Sequence, residues 1–146
     1  MSFRETDEIR GVITAAERAM RERDAAGLIG RYSEDVVKFD LAPPLGRSGD
    51  DARDVGRQQA WFDTFEGPVD FEVTELSIHV HGEFGWAHSL NRMSASPKGA
   101  GFAFEMWFRA TYGLRKVDGR WLIAHEHSST PFYMDGSLRA ATDLKP

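Results

Sequence analysis

The chain has 146 residues, 41% of them hydrophobic, no cysteine and a formal net charge of −5, which is typical of a single globular domain. The missing cysteines exclude disulfides and thiolate chemistry, and the acidic balance argues against an electrostatic nucleic-acid surface. No apolar run approaches the ~20 residues that span a bilayer. The charged start lacks a signal-peptide core, so we expect a cytoplasmic protein.

The first part of the chain combines two helical patterns with one short strand. Apolar residues recur at three- and four-residue steps between Ile9 and Met20 and predict an amphipathic helix, for which Thr6 is a suitable N-cap. A second short helix is predicted over residues 25–32. Residues 36–40 predict a first strand, which ends before a proline pair.

A third helix and two long strands are predicted next. Residues 48–67 favour a helix that passes through Trp61 and Phe65 and ends at a Gly-Pro pair. From residue 69 the apolar period changes to two, which is typical of strands. The period slips near Thr74-Glu75, so we expect a β-bulge that bends the sheet there.

The strongest local signal is a β-hairpin near the end of the chain. Asp118-Gly119 favours a tight turn, because glycine adopts positive φ without a Cβ clash. Residues 102–117 before the turn and 121–129 after it have the composition of strands. Three helices followed by a bent antiparallel sheet make an α+β fold, and a curved sheet with helices across its concave side encloses a conical cavity for a small ligand.

The last strand also carries a family resemblance. Residues 119–132, Gly-Arg-Trp-Leu-Ile-Ala-His-Glu-His-Ser-Ser-Thr-Pro-Phe, look like the last strand of the SnoaL-like proteins, which belong with ketosteroid isomerases to the nuclear transport factor 2-like superfamily. The resemblance covers essentially the whole chain. It implies one SnoaL-like domain over residues 1–146, cone-shaped, with three N-terminal helices packed on a strongly curved antiparallel sheet. It also implies a homodimer formed through the sheet, and substrates resembling cyclic polyketides or steroids.

Asp40 is the first candidate for catalysis. It follows a short apolar strand beside a Pro-Pro loop, where loss of solvent would tune a carboxylate for work as a general base. The resemblance supports this role, since the proton-shuttling aspartate of the ketosteroid isomerases falls on Asp40 in an ungapped alignment. Two structural alternatives remain open, in which Asp40 caps the loop at Pro43 or pairs with an arginine.

The same alignment argues against steroid isomerisation. The oxyanion-hole tyrosine of the ketosteroid isomerases falls on Ala16, and their protonated acid falls near Thr111 or Arg109. A base without a preorganised oxyanion donor lacks what is often the largest contribution to catalysis. Arg109, Tyr112 or a histidine would therefore have to supply the missing donor.

The histidines are the next candidates. His125 and His127 lie two residues apart on one strand and share a face, so His127 is a candidate catalytic partner of Asp40 and His125 a candidate ligand contact. Alternatively, each donates to a backbone carbonyl or stacks on an aromatic ring. His79 and His81 repeat the spacing, but no His-x-x-x-His or cysteine set supports a closed metal site, so we assign no metal ligand and no cofactor.

The remaining candidates are ligand contacts. Arg109 suits a polar or anionic part of a ligand, and the alternative is an ion pair with an acid such as Glu105. Trp61, Phe65 and Trp107 are candidate walls of the cavity, or simply core residues. The strand predicted over residues 102–117 has apolar side chains on both faces. We therefore expect the helices to cover one face and a second subunit to cover the other. The phenylalanines of this strand are candidates for the subunit contact: Phe104 and Phe108.

Two functions fit this pattern. The first is a small-molecule pocket protein with general acid–base activity of the isomerase, hydrolase or dehydratase type, acting on an apolar cyclic substrate with a carbonyl or hydroxyl group. The second is a non-catalytic module for ligand binding or oligomerisation. The missing oxyanion tyrosine favours the second, whereas a buried Asp40 facing an open cavity would favour the first.

Overall fold

The computed structural model describes residues 3–146 and places helices on one face of a single sheet. The elements in chain order are α1 (Phe3–Glu22), α2 (Ala25–Ile29), β1 (Tyr32–Phe39), β2 (Arg47–Ser48), α3 (Gly49–Ala52), α4 (Val55–Phe62), β3 (Phe65–His81), β4 (Phe84–Pro97), β5 (Phe104–Val117) and β6 (Arg120–Ser129). The architecture is α+β, as the sequence predicts. Among the described residues, no helix combines the length and the apolar character needed to cross a bilayer.

The sheet is mixed, which corrects the expectation of an antiparallel sheet. Its strands lie in the order β2-β1-β6-β5-β4-β3. The pairs from β3 to β6 are all antiparallel, but β1 runs parallel to β6. A parallel pair cannot be joined by a tight turn, and here the chain passes through every intervening element before β6 returns beside β1. The first and last strands therefore meet in the middle of the molecule.

Two backbone features predicted from the sequence are confirmed. Asp118 and Gly119 have φ of 50° and 80° between β5 and β6, which is the positive-φ pair of a type I′ hairpin turn. In β3 the register shifts between Thr74 and Ser77, and Glu75 has φ of 51°. This bulge bends the longest strand and lets the sheet curve around the helices.

The predicted third helix is wrong in its extent. The structure divides the segment into α3 and α4, and Phe65 begins β3 instead of lying on a helix. Asp54 starts α4 as a separate helix, because its side chain accepts a hydrogen bond from the Arg57 amide at 3.0 Å. At the other end, the Thr64 hydroxyl donates to the Trp61 carbonyl at 2.6 Å and turns the chain into β3.

Helix α1 crosses the sheet and covers the free edge of β3. Glu17 Oε2 accepts a hydrogen bond from the Val73 amide at 2.7 Å, and Arg21 Nη1 donates to the Phe71 carbonyl at 3.2 Å. These backbone groups face outward on an edge strand and would otherwise be free for another strand. The side chains of α1 therefore occupy part of this edge of the sheet.

The interior contains two apolar clusters. The larger lies between α1, α2 and the sheet, where Ile9, Ile13 and Ile123 are fully buried. Burial of each such side chain contributes about 1.5–3 kcal/mol. The smaller cluster includes Phe71 and Phe108 from the sheet. Side chains of both clusters border the same open space, which is the cavity described next.

Candidate functional site

A cavity of about 370 Å³ lies between the helices and the concave face of the sheet. This volume is within the range of small-molecule sites, roughly 300–1,000 Å³. Much of its wall is apolar, contributed by α1, α2 and the sheet: Ile13, Ala16, Leu28, Phe71, Met93 and Phe108. Polar groups on β1, β6 and the centre of β5 form the polar part on the sheet side. A second polar set lies on β2 and at α4: Arg47, Asp54, Arg57 and Gln58.

The polar part is organised around a buried lysine. Lys38 is only 7% exposed, and its Nζ lies 3.5 Å from Asp40 Oδ1 and 3.8 Å from Glu126 Oε2. The same ammonium lies 4.7 Å from the centre of the Tyr32 ring. The Tyr32 hydroxyl donates to Glu126 Oε2 at 2.9 Å. One cation thus joins two carboxylates that would otherwise repel each other.

Strand register brings these groups to one face. Lys38 of β1 pairs with Glu126 of β6, and Glu126 pairs with Tyr112 of β5, so the three side chains form a row across neighbouring strands. A register shift in the β5–β6 pairing leaves Ala124 without a partner. The extra residue reverses the alternation of β6, so that Glu126, and not its histidine neighbours, points into the cavity.

Tyr112 and Asn91 form a second polar group in the cavity wall. The Ser89 hydroxyl donates to Asn91 Oδ1 at 2.8 Å, and Asn91 Nδ2 donates to the Tyr112 hydroxyl oxygen at 3.2 Å. The Ser89 hydroxyl is a further hydrogen-bonding neighbour of the Tyr112 hydroxyl. A buried phenol that accepts bonds from such neighbours can donate its own proton to a ligand oxygen.

Both cavity tyrosines stay protonated over the physiological range. Burial, followed by the charge of Glu126, raises the pKa of Tyr112 to about 12. Burial, the charge of Glu126 and the hydrogen bond to Glu126 raise the pKa of Tyr32 well above its usual value. The two phenols are therefore hydrogen-bond donors, and the carboxylates are the groups able to accept a proton.

Asp40 lines the cavity, but its surroundings differ from those expected. Its side chain is 40% exposed, and its ion-pair partner is Lys38, not an arginine. The apolar enclosure inferred from the Pro-Pro loop is absent because the loop that follows is itself exposed. Asp40 therefore stands where the polar part of the cavity meets solvent.

The two histidines of β6 do not line the cavity, and this corrects their expected place. His125 and His127 lie on the outer face of the sheet, where both rings pack edge-on against Phe39 at centroid distances of 5.0 and 5.3 Å. His125 Nδ1 donates to the Val37 carbonyl at 2.7 Å. The alternative with a backbone carbonyl and an aromatic neighbour is the one observed.

The other four expected ligand contacts lie in three different places. Trp61 lines the cavity. Phe65 is buried behind it, edge-on to the Trp61 ring at 5.1 Å, and does not line the cavity. Trp107 and Arg109 alternate with the inward-facing Phe108 and lie on the outer face, where Arg109 Nε donates to the Ser129 hydroxyl at 3.2 Å.

Sequence reasoning missed Tyr32, Lys38 and Glu126 as site residues. The sequence predicts Tyr32 at the end of a helix, whereas α2 ends at Ile29 and Tyr32 opens β1. Lys38 is two residues before Asp40 and shares its side of the chain, so the period of a strand could have indicated it. Glu126 required knowledge of the bulge in β6, for which the sequence gives no clear signal.

The arrangement provides proton-transfer groups, a phenolic donor and an apolar wall. Among residues 3–146, no three histidine, aspartate or glutamate side chains are grouped as ligands of one metal ion. The carboxylates Asp40 and Glu126 can accept a proton, while Tyr112 can donate a hydrogen bond to an oxygen atom. Chemically, these groups suit proton movement next to a carbonyl or hydroxyl group.

Comparisons with known proteins agree with this fold. The chain is similar in structure to a nuclear transport factor 2-like protein of unknown function from Pseudomonas putida KT2440, with 35% identity, a TM-score of 0.86, and coverage of 100% of this chain and 99% of the other. It resembles a ketosteroid isomerase-like protein from Erwinia carotovora atroseptica with 20% identity and a TM-score of 0.73, over 88% and 97% of the two chains. A protein of Novosphingobium aromaticivorans, provisionally described as a scytalone dehydratase, has 18% identity and a TM-score of 0.77, over 94% and 91%.

The likenesses to the Erwinia and Novosphingobium proteins, at 20% and 18% identity, show the fold alone. None of the curated protein sequences matches the chain significantly. The model of the SnoaL-like domain matches residues 9–133, which is most of the chain. The protein therefore belongs to the SnoaL-like domain family, within the nuclear transport factor 2-like fold.

Proposed function

We propose that the protein binds a small apolar cyclic compound carrying a carbonyl or hydroxyl group and moves a proton on it by general acid–base catalysis. The observation that carries the proposal is the pair of carboxylates, Asp40 and Glu126, held beside one lysine in the wall of a cavity of about 370 Å³. Isomerisation and dehydration both begin with such a proton transfer. The relatives described as isomerase-like and as a dehydratase make these reaction types reasonable for this site.

In this proposal Asp40 accepts the proton. It is the more exposed of the two carboxylates and has a single ion-pair partner, so it can approach a ligand without losing a buried hydrogen bond. Glu126 is fixed by Tyr32 and Lys38, which makes it a positioning group. Tyr112 donates to the ligand oxygen and stabilises the negative charge that develops there. His127 has no part, because it lies on the other face of the sheet.

Hydrogen–deuterium exchange on a model ketone tests the proposal without knowledge of the natural substrate. We would incubate 2-tetralone with the protein in D2O and follow deuterium uptake next to the carbonyl by NMR. Loss of a general base costs about 10²–10⁴-fold, and loss of an oxyanion donor about 10²–10³-fold. Asp40→Asn and Tyr112→Phe should therefore slow the exchange by about these factors, whereas the exposed Asp50→Asn should leave it unchanged. Equal exchange by Asp40→Asn and the original protein would refute the base.

A second function, assembly as a homodimer through the outer face of the sheet, is supported by exposed aromatic side chains. Trp86 is 50% exposed on this face, and Phe39 and Val37 are also exposed. Such apolar groups on one surface are characteristic of an interaction site. The contact would not use Phe108, as the sequence suggested, because that ring packs inward against Phe71 at a centroid distance of 6.0 Å.

Sedimentation distinguishes this second function from a monomeric enzyme. Trp86→Asp should convert a dimer into a monomer, because it places a charge in the apolar contact. Leu138→Asp, at a 73% exposed position in the C-terminal segment, is the matched control and should leave the dimer intact. A dimer that persists in Trp86→Asp would show that subunits meet elsewhere.

A further inference from the structure

We propose that Lys38 forms a Schiff base with an aldehyde or ketone ligand in the cavity. The inference rests on the ligand site of the proposed function, but it assigns a covalent role to a residue that general acid–base catalysis there does not use. Lys38 is buried, lines the cavity and is surrounded by groups able to move protons. Its amine is the only lysine nitrogen that residues 3–146 place in the cavity wall.

The other lysines provide the contrast. Lys98 is exposed in the turn after β4, and the side chain of Lys145 is 73% exposed near the end of the chain. Lys116 is partly buried, but it lies 3.0 Å from Glu5, and neither residue lines the cavity. Among the lysines of residues 3–146, only Lys38 combines burial with a place in the wall of this cavity of about 370 Å³. An apolar aldehyde or ketone that enters this volume meets the Lys38 nitrogen where the apolar wall adjoins the polar groups.

The chemistry balances with the groups present. The Lys38 ammonium gives one proton to Asp40 or Glu126, and the free amine adds to the carbonyl carbon to form a C–N bond. One proton of the resulting N⁺H₂ group passes to the carbonyl oxygen, which gives a carbinolamine, and the carboxylic acid returns its proton when water leaves. The C–O bond then breaks, the oxygen leaves as water with a second proton, and the nitrogen keeps one hydrogen in a C=N⁺ bond. The sum is one carbonyl and one ammonium giving one iminium ion and one water, with no oxidant or reductant.

The charges of the cluster are the same before and after the reaction. An ammonium at Lys38 is replaced by an iminium ion at the same nitrogen, 3.5 Å from Asp40 and 3.8 Å from Glu126. The carboxylates that pair with the first cation pair with the second, so no charge becomes buried without a partner. The Tyr32 hydroxyl keeps its bond to Glu126 throughout. An iminium ion also withdraws electrons from the carbon next to the C=N⁺ bond. The protons on that carbon are then easier for Asp40 to remove.

Reductive trapping tests the proposal directly. The protein is incubated with 2-naphthaldehyde and sodium cyanoborohydride, and modified lysines are identified by peptide mass spectrometry, with the α-amino group mapped separately. We expect Lys38 to be modified at least about tenfold faster than Lys98 or Lys145, because a bound aldehyde is held beside the amine. Lys38→Arg keeps the positive charge and should abolish the adduct, while Lys98→Arg should not change it. Modification that follows solvent exposure, with Lys38 the slowest, would overturn the proposal and leave Lys38 as a counter-ion only.

The result is separable from the proposed function. 2-Naphthaldehyde has no hydrogen on the carbon next to its carbonyl, so its trapping depends on Lys38 and not on proton removal by Asp40. Preferential trapping without deuterium exchange into 2-tetralone would refute the acid–base proposal alone. Exchange in both the original protein and Lys38→Arg, without trapping, would refute the Schiff base alone. If Lys38→Arg folds poorly, the original protein still tests the Schiff base, because its own rates of modification at Lys38, Lys98 and Lys145 are compared.

Discussion

Replacement of Lys38 by methionine should destabilise the protein by leaving two carboxylates without their shared cation. Lys38 Nζ lies 3.5 Å from Asp40 and 3.8 Å from Glu126. At an effective dielectric constant of about 20, Coulomb's law gives an attraction of roughly 4–5 kcal/mol for each of these two contacts. Desolvation of the ammonium offsets much of this attraction. The share of Asp40 is screened further by solvent, because its side chain is 40% exposed.

We therefore expect Lys38→Met to lower the free energy of unfolding by about 2–3 kcal/mol, at or below the roughly 3–5 kcal/mol of a fully buried broken pair. Urea unfolding at pH 7, followed by tryptophan fluorescence, measures the change. Lys116→Met is the matched control, since Lys116 also pairs with a carboxylate, Glu5 at 3.0 Å, but is three times as exposed. Its cost should be about 1 kcal/mol or less. If Lys38→Met is no less stable than Lys116→Met, the buried cation does not hold the site together.

Four further substitutions probe other parts of the structure. Burial raises the pKa of Tyr112 to about 12, so between pH 10 and 12 the unfolded chain loses its proton first and stability should fall by roughly 1.4 kcal/mol per pH unit. Tyr112→Phe should remove that part of the slope in urea unfolding. Gly119→Ala, at φ of 80°, should cost about 1 kcal/mol and lower Tm, whereas Gly11→Ala, in open space on α1, should raise Tm. Glu17→Ala frees the Val73 amide and should cost about 1–3 kcal/mol in the same unfolding assay; no loss would mean that water replaces the carboxylate.

Local patterns predicted the fold well because they act over a few residues. The Asp118-Gly119 turn and the bulge near Glu75 both depend on backbone preferences that neighbouring residues reveal. The parallel pairing of β1 with β6 joins residues about 90 positions apart, as in Lys38 with Glu126, and no local pattern encodes it. The sequence therefore predicted the elements better than their arrangement.

The candidate site was predicted only in part, for a specific physical reason. Asp40, Trp61 and the possible donor Tyr112 were identified from the sequence and line the cavity. The sequence leaves open which face of residues 121–129 meets the cavity, because a β-bulge would exchange the two faces, and the expected role of His127 depends on that choice. One unpaired residue in β6 exchanges the two faces, so Glu126 takes the inner position and His127 the outer one. A shift of this kind changes the chemistry of a site without changing its fold.

The bonds between α1 and β3 also bear on how the protein avoids misassembly. A growing amyloid-like fibril adds chains through rows of free amide and carbonyl groups on an exposed strand. On β3, the Val73 amide and the Phe71 carbonyl are already occupied by Glu17 and Arg21, and the opposite edge is the two-residue β2. An incoming strand therefore finds these two groups of β3 already hydrogen-bonded, and at the opposite edge it meets a strand of only two residues. Two charged side chains of one helix thus oppose fibril growth along this part of the edge.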